Sequence, residues 1–312
     1  MDQDKRQQAI ELYDRYTHEE WQSDRSPGAV SDCRGQPELP LDRRVFMARM
    51  TAIAGSAAAA TALVATIAAD PAAAAIVPAN DRRLRTSTMT LLGTGGLPRY
   101  TAYTAEPANK VREGSVIVIH ENRGLNDHGR DVARRVALSG FHAVAVDFLS
   151  PLGGTPADEN KARDLIGKLD LTASTAHAVA MLDQLAKRPG GNGKVGVVGF
   201  CWGGAFVNRL AVAAGENLDV GVSYYGVAPD PSEAARVSAP LVIQLAGLDE
   251  RVNKSAFPWI TALRGAGKPV KYFNYDGVNH AFNNDTSVER FNKAASDLAW
   301  KRTIAAFRGN LR

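Results

Sequence analysis

The stretch Lys194-Val195-Gly196-Val197-Val198-Gly199-Phe200-Cys201-Trp202-Gly203-Gly204 decides how this chain is read. Its apolar run predicts a buried strand over 194–200, and the residues over 203–214 predict a helix directly behind it. Cys201 stands between the two, with glycine two positions before it and two positions after. A nucleophilic side chain on so sharp a strand-to-helix turn is pushed into the open, and glycines at those flanks let strand and helix approach. The helix start behind the sulfur adds partial positive charge, which favours thiolate. A buried core cysteine in an ordinary tight turn is the plainer reading of the same residues.

Outward from this point the chain keeps alternating. On the N-terminal side lie a strand over 116–119, a helix over 127–139 stopped at Gly140, and a strand over 142–148. A polar stretch with Gly153, Gly154 and Pro156 then leads into helical sequence over 158–187. On the C-terminal side strands are predicted over 220–224, 240–246 and 270–275, with a helix over 253–265 between the last two. Phe291, Ala295, Leu298 and Ala299 place one apolar face on a closing helix. Repeated βα units from Met89 onward define an α/β protein: one domain, a mostly parallel sheet, helices on both faces. Ligands of such sheets bind beyond the carboxyl ends of the strands. No internal repeat is visible.

Two further side chains fall at such strand ends. Asp249 follows the strand over 240–246, and His280 follows the strand ending at Tyr275. Glu250 and Asp276 are alternative carboxylates; His120 and His128 are alternative imidazoles, disfavoured by the order nucleophile, acid, histidine. Glu121, just past the strand over 116–119, is a carboxylate where burial costs free energy unless the group is paired or lines a cleft. An ion pair with Arg123 or Arg130 is its plain structural explanation. The backbone amides of Asn122 and Trp202 are placed to form an oxyanion hole. His120-Glu121 lacks the His-Glu-x-x-His spacing, so no metal is expected, and no cofactor is implied.

The order of Cys201, Asp249 and His280 matches α/β-hydrolases. Together with His120-Glu121-Asn122-Arg123-Gly124, Leu248-Asp249 and Gly277-Val278-Asn279-His280-Ala281-Phe282, the chain over 86–311 resembles the dienelactone hydrolase (carboxymethylenebutenolidase) family. The resemblance implies an α/β-hydrolase fold and a Cys201–Asp249–His280 triad, with Glu121 contacting the thiol and helping to generate thiolate when substrate arrives. It departs from the family where arginines hold a substrate carboxylate: the corresponding regions, 147–151 and 281–284, contain none. Arg123 is the substitute to consider. The expected activity is hydrolysis of small esters or enol-lactones through a thioester acyl-enzyme. Its rivals are a redox or sensing thiol, in which Cys201 reacts with peroxide or pairs with Cys33, and a non-catalytic protein binding an apolar small ligand.

Composition agrees with a globular enzyme. Of 312 residues 45% are hydrophobic and 22% charged, which excludes a disordered chain, and two cysteines exclude a disulfide scaffold. The net charge of +4 is mild and the basic residues are interspersed with acids, so nucleic acid is not an expected partner. Residues 1–75 read as a leader. Arg43-Arg44 precedes an uncharged, alanine-dominated segment over 50–69, then Asp70-Pro71 and four alanines. That is the order of a twin-arginine export signal, which implies transient contact with membrane and export machinery, a periplasmic destination and a functional unit over 76–312. A retained membrane anchor or an alanine-rich helix packed on the body are the alternatives. Residues 7–21 carry the pattern of a short amphipathic helix.

Overall fold

The computed structural model describes residues 5, 8–9, 12, 43–61, 77–109, 113–287 and 289–312. It divides into two compact units, Met1–Ala74 and Ala75–Arg312. In the first, helix α1 (Arg43–Ala54) buries Phe46 and Met50 in a small cluster with Ala9 and Ala60. Among the described residues no helix is long and apolar enough to cross a membrane. Cys33, most of 7–21 and the uncharged segment beyond Thr61 lie outside the described residues.

In the second unit eight strands form one sheet: β1 (Leu84–Leu92), β2 (Arg99–Pro107), β3 (Glu113–Ile119), β4 (His142–Val146), β5 (Gly191–Phe200), β6 (Val220–Tyr224), β7 (Leu241–Ala246) and β8 (Val270–Tyr275). Their order is β1-β2-β4-β3-β5-β6-β7-β8, antiparallel at β1/β2 and β2/β4 and parallel elsewhere. Helices α2 (Asp127–Leu138), α3 (Glu159–Ile166), α4 (Leu171–Ala186), α5 (Trp202–Ala213), α6 (Glu250–Gly265) and α7 (Lys293–Asn310) supply the connections and the C-terminal element. The two-residue period of a strand explains the continuous apolar runs of β3 and β5. Ile117, Ile119, Val195 and Val197 enter one core with Met181, Leu182, Phe206 and Trp259. Val116, Val118 and Val198 enter the other, with Val132, Val136 and Phe307.

Three expectations about the helices change in detail. The helical sequence over 158–187 is two helices: Gly167 ends α3, and Asp170 starts α4 by accepting hydrogen bonds from the amides of Thr172 (2.9 Å) and Ala173 (3.0 Å). On α7 the apolar face is Ala295, Ala299, Ile304 and Phe307; Leu298 points outward at 43% exposure and Phe291 precedes the helix. Helix α6 begins at Glu250 rather than 253, because Asp249 itself caps it, accepting from the Val252 amide at 3.2 Å.

One buried base carries a prediction. His142 opens β4 with Nδ1 3.3 Å from Ser115 Oγ, and burial, followed by the charge of Arg188, lowers its pKa from 6.5 to about 4. As pH falls the unfolded chain takes up this proton first. The stabilisation is therefore complete above 6.5 and is lost as pH falls through about 4, on the order of 3 kcal/mol in all. Urea unfolding of His142→Gln across that window should show a flatter dependence on pH than the parent protein.

Candidate active site

The elbow between β5 and α5 is drawn tight. Cys201 sits at φ 54°, ψ −111°, a left-handed conformation costing about 1–3 kcal/mol for a residue with a Cβ. Its amide donates to Tyr224 O at 3.1 Å and its carbonyl accepts from the Ala205 amide at 3.0 Å, so the turn is held from both sides. A Cβ on Gly199 would lie 2.2 Å from Gly203 O, and one on Gly203 would lie 2.5 Å from Ile119 O. The first glycine therefore lets helix meet strand, and the second lets the end of β3 close over the elbow.

The half-buried thiol is held protonated. Burial pushes it up, the charge of Glu121 adds to that, the Trp202 amide and Arg251 oppose, and Asp249 raises it further; the result is about 12. The helix-terminus effect expected from sequence is present in the Trp202 amide, but desolvation and the neighbouring carboxylate outweigh it.

Asp249 and His280 meet across two loops. Gly247 N–H donates to Tyr275 O at 2.8 Å and Leu248 N–H to Val278 O at 3.0 Å, which fastens the loop after β7 to the loop after β8. Asp249 Oδ2 then accepts a hydrogen bond from His280 Nδ1, leaving Nε2 unprotonated in the neutral ring. Glu250 and Asp276 are exposed.

Glu121 is held by partners that the sequence reading did not name. Tyr225 OH donates to its Oε1 at 3.3 Å and Asn284 Nδ2 to its Oε2 at 2.7 Å. Tyr225 is fully buried at φ 37°, and its ring lies 4.9 Å from that of His280. The one local sign of either residue is its place, directly after β6 for Tyr225 and four residues beyond His280 for Asn284. The arginines considered as partners are elsewhere: Arg123 is exposed and paired with Glu159, and Arg130 pairs with Asp127 at 3.0 Å. The Asn122 amide has no acceptor among the described residues.

The remaining histidines near β3 have structural partners. His120 Nε2 accepts from the Phe148 amide at 3.2 Å, so Nδ1 carries the proton and donates to Glu121 O at 2.7 Å. Burial lowers its pKa, and the neutral ring stacks on Trp202 at 5.4 Å. His128 pairs with Asp285. Among the described residues no three His, Cys, Asp or Glu side chains are grouped to hold a metal ion.

A mostly parallel eight-stranded sheet with a side chain on an elbow after a central strand, and an acid–imidazole pair after the two strands at one end, defines an α/β-hydrolase. Residues 100–311 match the dienelactone hydrolase family, and the chain belongs to it, as a hydrolase of that type. A protein named "Putative carboxymethylenebutenolidase" from Escherichia coli O157:H7 is 29% identical over 77% of this chain and 93% of its own length. One of the same name from Salmonella typhi is 30% identical over 66% of this chain and 81% of its own. The crystal structure of a "Putative Dienelactone Hydrolase" from Klebsiella pneumoniae superposes with a TM-score of 0.65 at 24% identity, covering 72% of this chain and 98% of that one. The dienelactone hydrolase-like promiscuous phosphotriesterase P91, from metagenomic libraries, gives the same TM-score at 23% identity over 74% of this chain and all of that one. At these identities the two structures speak for the fold.

Proposed function

We propose that the protein hydrolyses small esters or enol-lactones with Cys201 as nucleophile, Asp249 and His280 as its acid–base pair, and Glu121 as the carboxylate that governs the thiol. The observation that carries this reading is the Asp249–His280 hydrogen bond, formed beyond the carboxyl ends of the parallel strands, as is the strained elbow that holds the cysteine. As substrate enters, His280 Nε2 takes the thiol proton and the sulfur adds to the carbonyl carbon. The amides of Asn122 and Trp202 hold the oxyanion. Collapse breaks the bond to the leaving oxygen, which takes the proton from His280. Water, deprotonated by His280, then attacks the thioester, and the sulfur leaves and regains its proton. Thiolate is itself a good leaving group, so the first collapse goes forward when the departing oxygen is stabilised, as an enolate is. Arg123, committed to Glu159, is left out of this site.

Acid quenching during turnover of p-nitrophenyl acetate, followed by peptide mass spectrometry, should find an acetyl group on the peptide carrying Cys201. Acetyl on a different side chain in the quenched enzyme overturns the assignment. A panel of esters and lactones with and without a free carboxylate then defines the substrate.

We also propose export through the Arg43-Arg44 segment, on the order of the sequence over 43–75. Expression in a host with twin-arginine export should yield a periplasmic protein shortened at its N-terminus; an intact Met1 in the soluble cytosol overturns it.

A further inference from the structure

The loop after His280 is fastened twice to the segment after β3, and one of the two fastenings has no role in the mechanism above. Asn284 Nδ2 donates to Glu121 at 2.7 Å, while its Oδ1 accepts from the Thr286 amide (3.0 Å) and hydroxyl (2.6 Å), which sets the orientation of the amide. The next residue, Asp285, accepts from His128 Nδ1 at 2.6 Å, with the two side chains 6% and 3% exposed. His128 lies in the first turn of α2, and its ring packs edge-on against Phe200 of β5 at 5.8 Å. Among the described residues neither His128 Nε2 nor Asp285 Oδ2 has a hydrogen-bond partner.

The other charged groups beside this pair come from α2. Burial raises Asp285, but the hydrogen bond and charge of His128, then Arg135, outweigh it and keep the carboxyl below its usual range. Asp131, held 3.0 Å from Arg135 Nε and 3.7 Å from Arg134, adds a second buried carboxylate. Buried ion pairs are poor sources of net stability, because desolvation offsets their attraction; their best-attested use is to fix one arrangement of the chain.

We propose that His128 and Asp285 form a positioning pair, which fixes the loop after His280 so that Asn284 holds Glu121 beside the Cys201 thiol. The pair does not touch the reacting atoms. This inference rests on the reading of Glu121 and Cys201 given above. It predicts that removing the His128 hydrogen bond acts on the thiol through Asn284 and by no separate route.

The test is the rate at which iodoacetamide alkylates Cys201 in the full-length protein without substrate, followed on its peptide at one fixed pH of about 8, where the rate follows the small thiolate fraction. Asn284→Ala leaves the carboxylate less compensated, so its charge presses harder on the thiol and the rate should fall by about threefold to tenfold. Glu121→Gln removes the like charge and should speed the reaction. His128→Phe should slow alkylation as Asn284→Ala does, and His128→Asn, whose amide can still donate to Asp285, should restore the rate. The double variant His128→Phe/Asn284→Ala should be slowed no further than Asn284→Ala alone. Rates unchanged in His128→Phe and in Asp285→Leu, which has no acceptor for the imidazole, or additive effects in the double variant, overturn the proposal. Asp285→Leu carries the comparison if His128→Phe does not fold. Full ester turnover by Cys201→Ala would remove the catalytic reading while leaving this coupling measurable.

Discussion

Cys201→Ala is expected to lower kcat for small esters by roughly 10,000-fold or more, the scale on which removing a nucleophile acts, while substrate still binds. Stability should hardly change, because alanine at φ 54° carries the same backbone strain as cysteine. Cys201→Gly sharpens the point. It removes the nucleophile together with the strain, so activity should vanish while stability to urea rises by about 1 kcal/mol. A protein inactivated only because its elbow was disturbed would show the opposite, lost activity with lost stability. Substantial turnover by both variants rules out the cysteine as nucleophile.

Asp249→Asn is expected to cost about as much, roughly 10,000-fold in kcat, without unfolding the loop. Asp249 has two duties: its Oδ1 caps α6 through the Val252 amide and its Oδ2 takes the Nδ1 proton of His280. Asparagine caps a helix as well as aspartate does, so the first duty survives. An amide NH₂ turned toward His280 needs Nδ1 as an acceptor, which moves the ring proton to Nε2, where it cannot accept the thiol proton. An unchanged melting temperature beside the collapse in kcat would therefore separate orientation of the imidazole from helix capping. Turnover near the parental rate would mean that Asp249 is a capping residue and nothing more.

What sequence reading reached, and what it missed, follows the range of the interactions. The elbow was legible because its requirements are local: an apolar run, two glycines and a nucleophile within eleven consecutive positions. The hairpin of β1 and β2 was not. Leu-Arg-Thr-Ser-Thr-Met-Thr-Leu-Leu is mostly exposed along its length and carries no clean alternation, since an outer strand with one neighbour buries little. Leu298 was misplaced for a similar reason, because which face of α7 turns inward is set by the sheet it covers.

The order of Cys201, Asp249 and His280, the strands that carry them and the architecture they belong to were determined by the sequence alone, because each rests on the chemistry of a few adjacent residues. The protonated state of the thiol was decided by the tertiary structure, since desolvation and the charge of Glu121 exist only once the chain has closed around the sulfur. So were the partners of Glu121. Tyr225 and Asn284 reach it from 104 and 163 residues away, and Glu159 draws Arg123 aside from 36 residues away. Hydrogen bonds and ion pairs act over a few ångströms in space, and at such separations nothing in the order of residues records which groups the fold will bring within that distance.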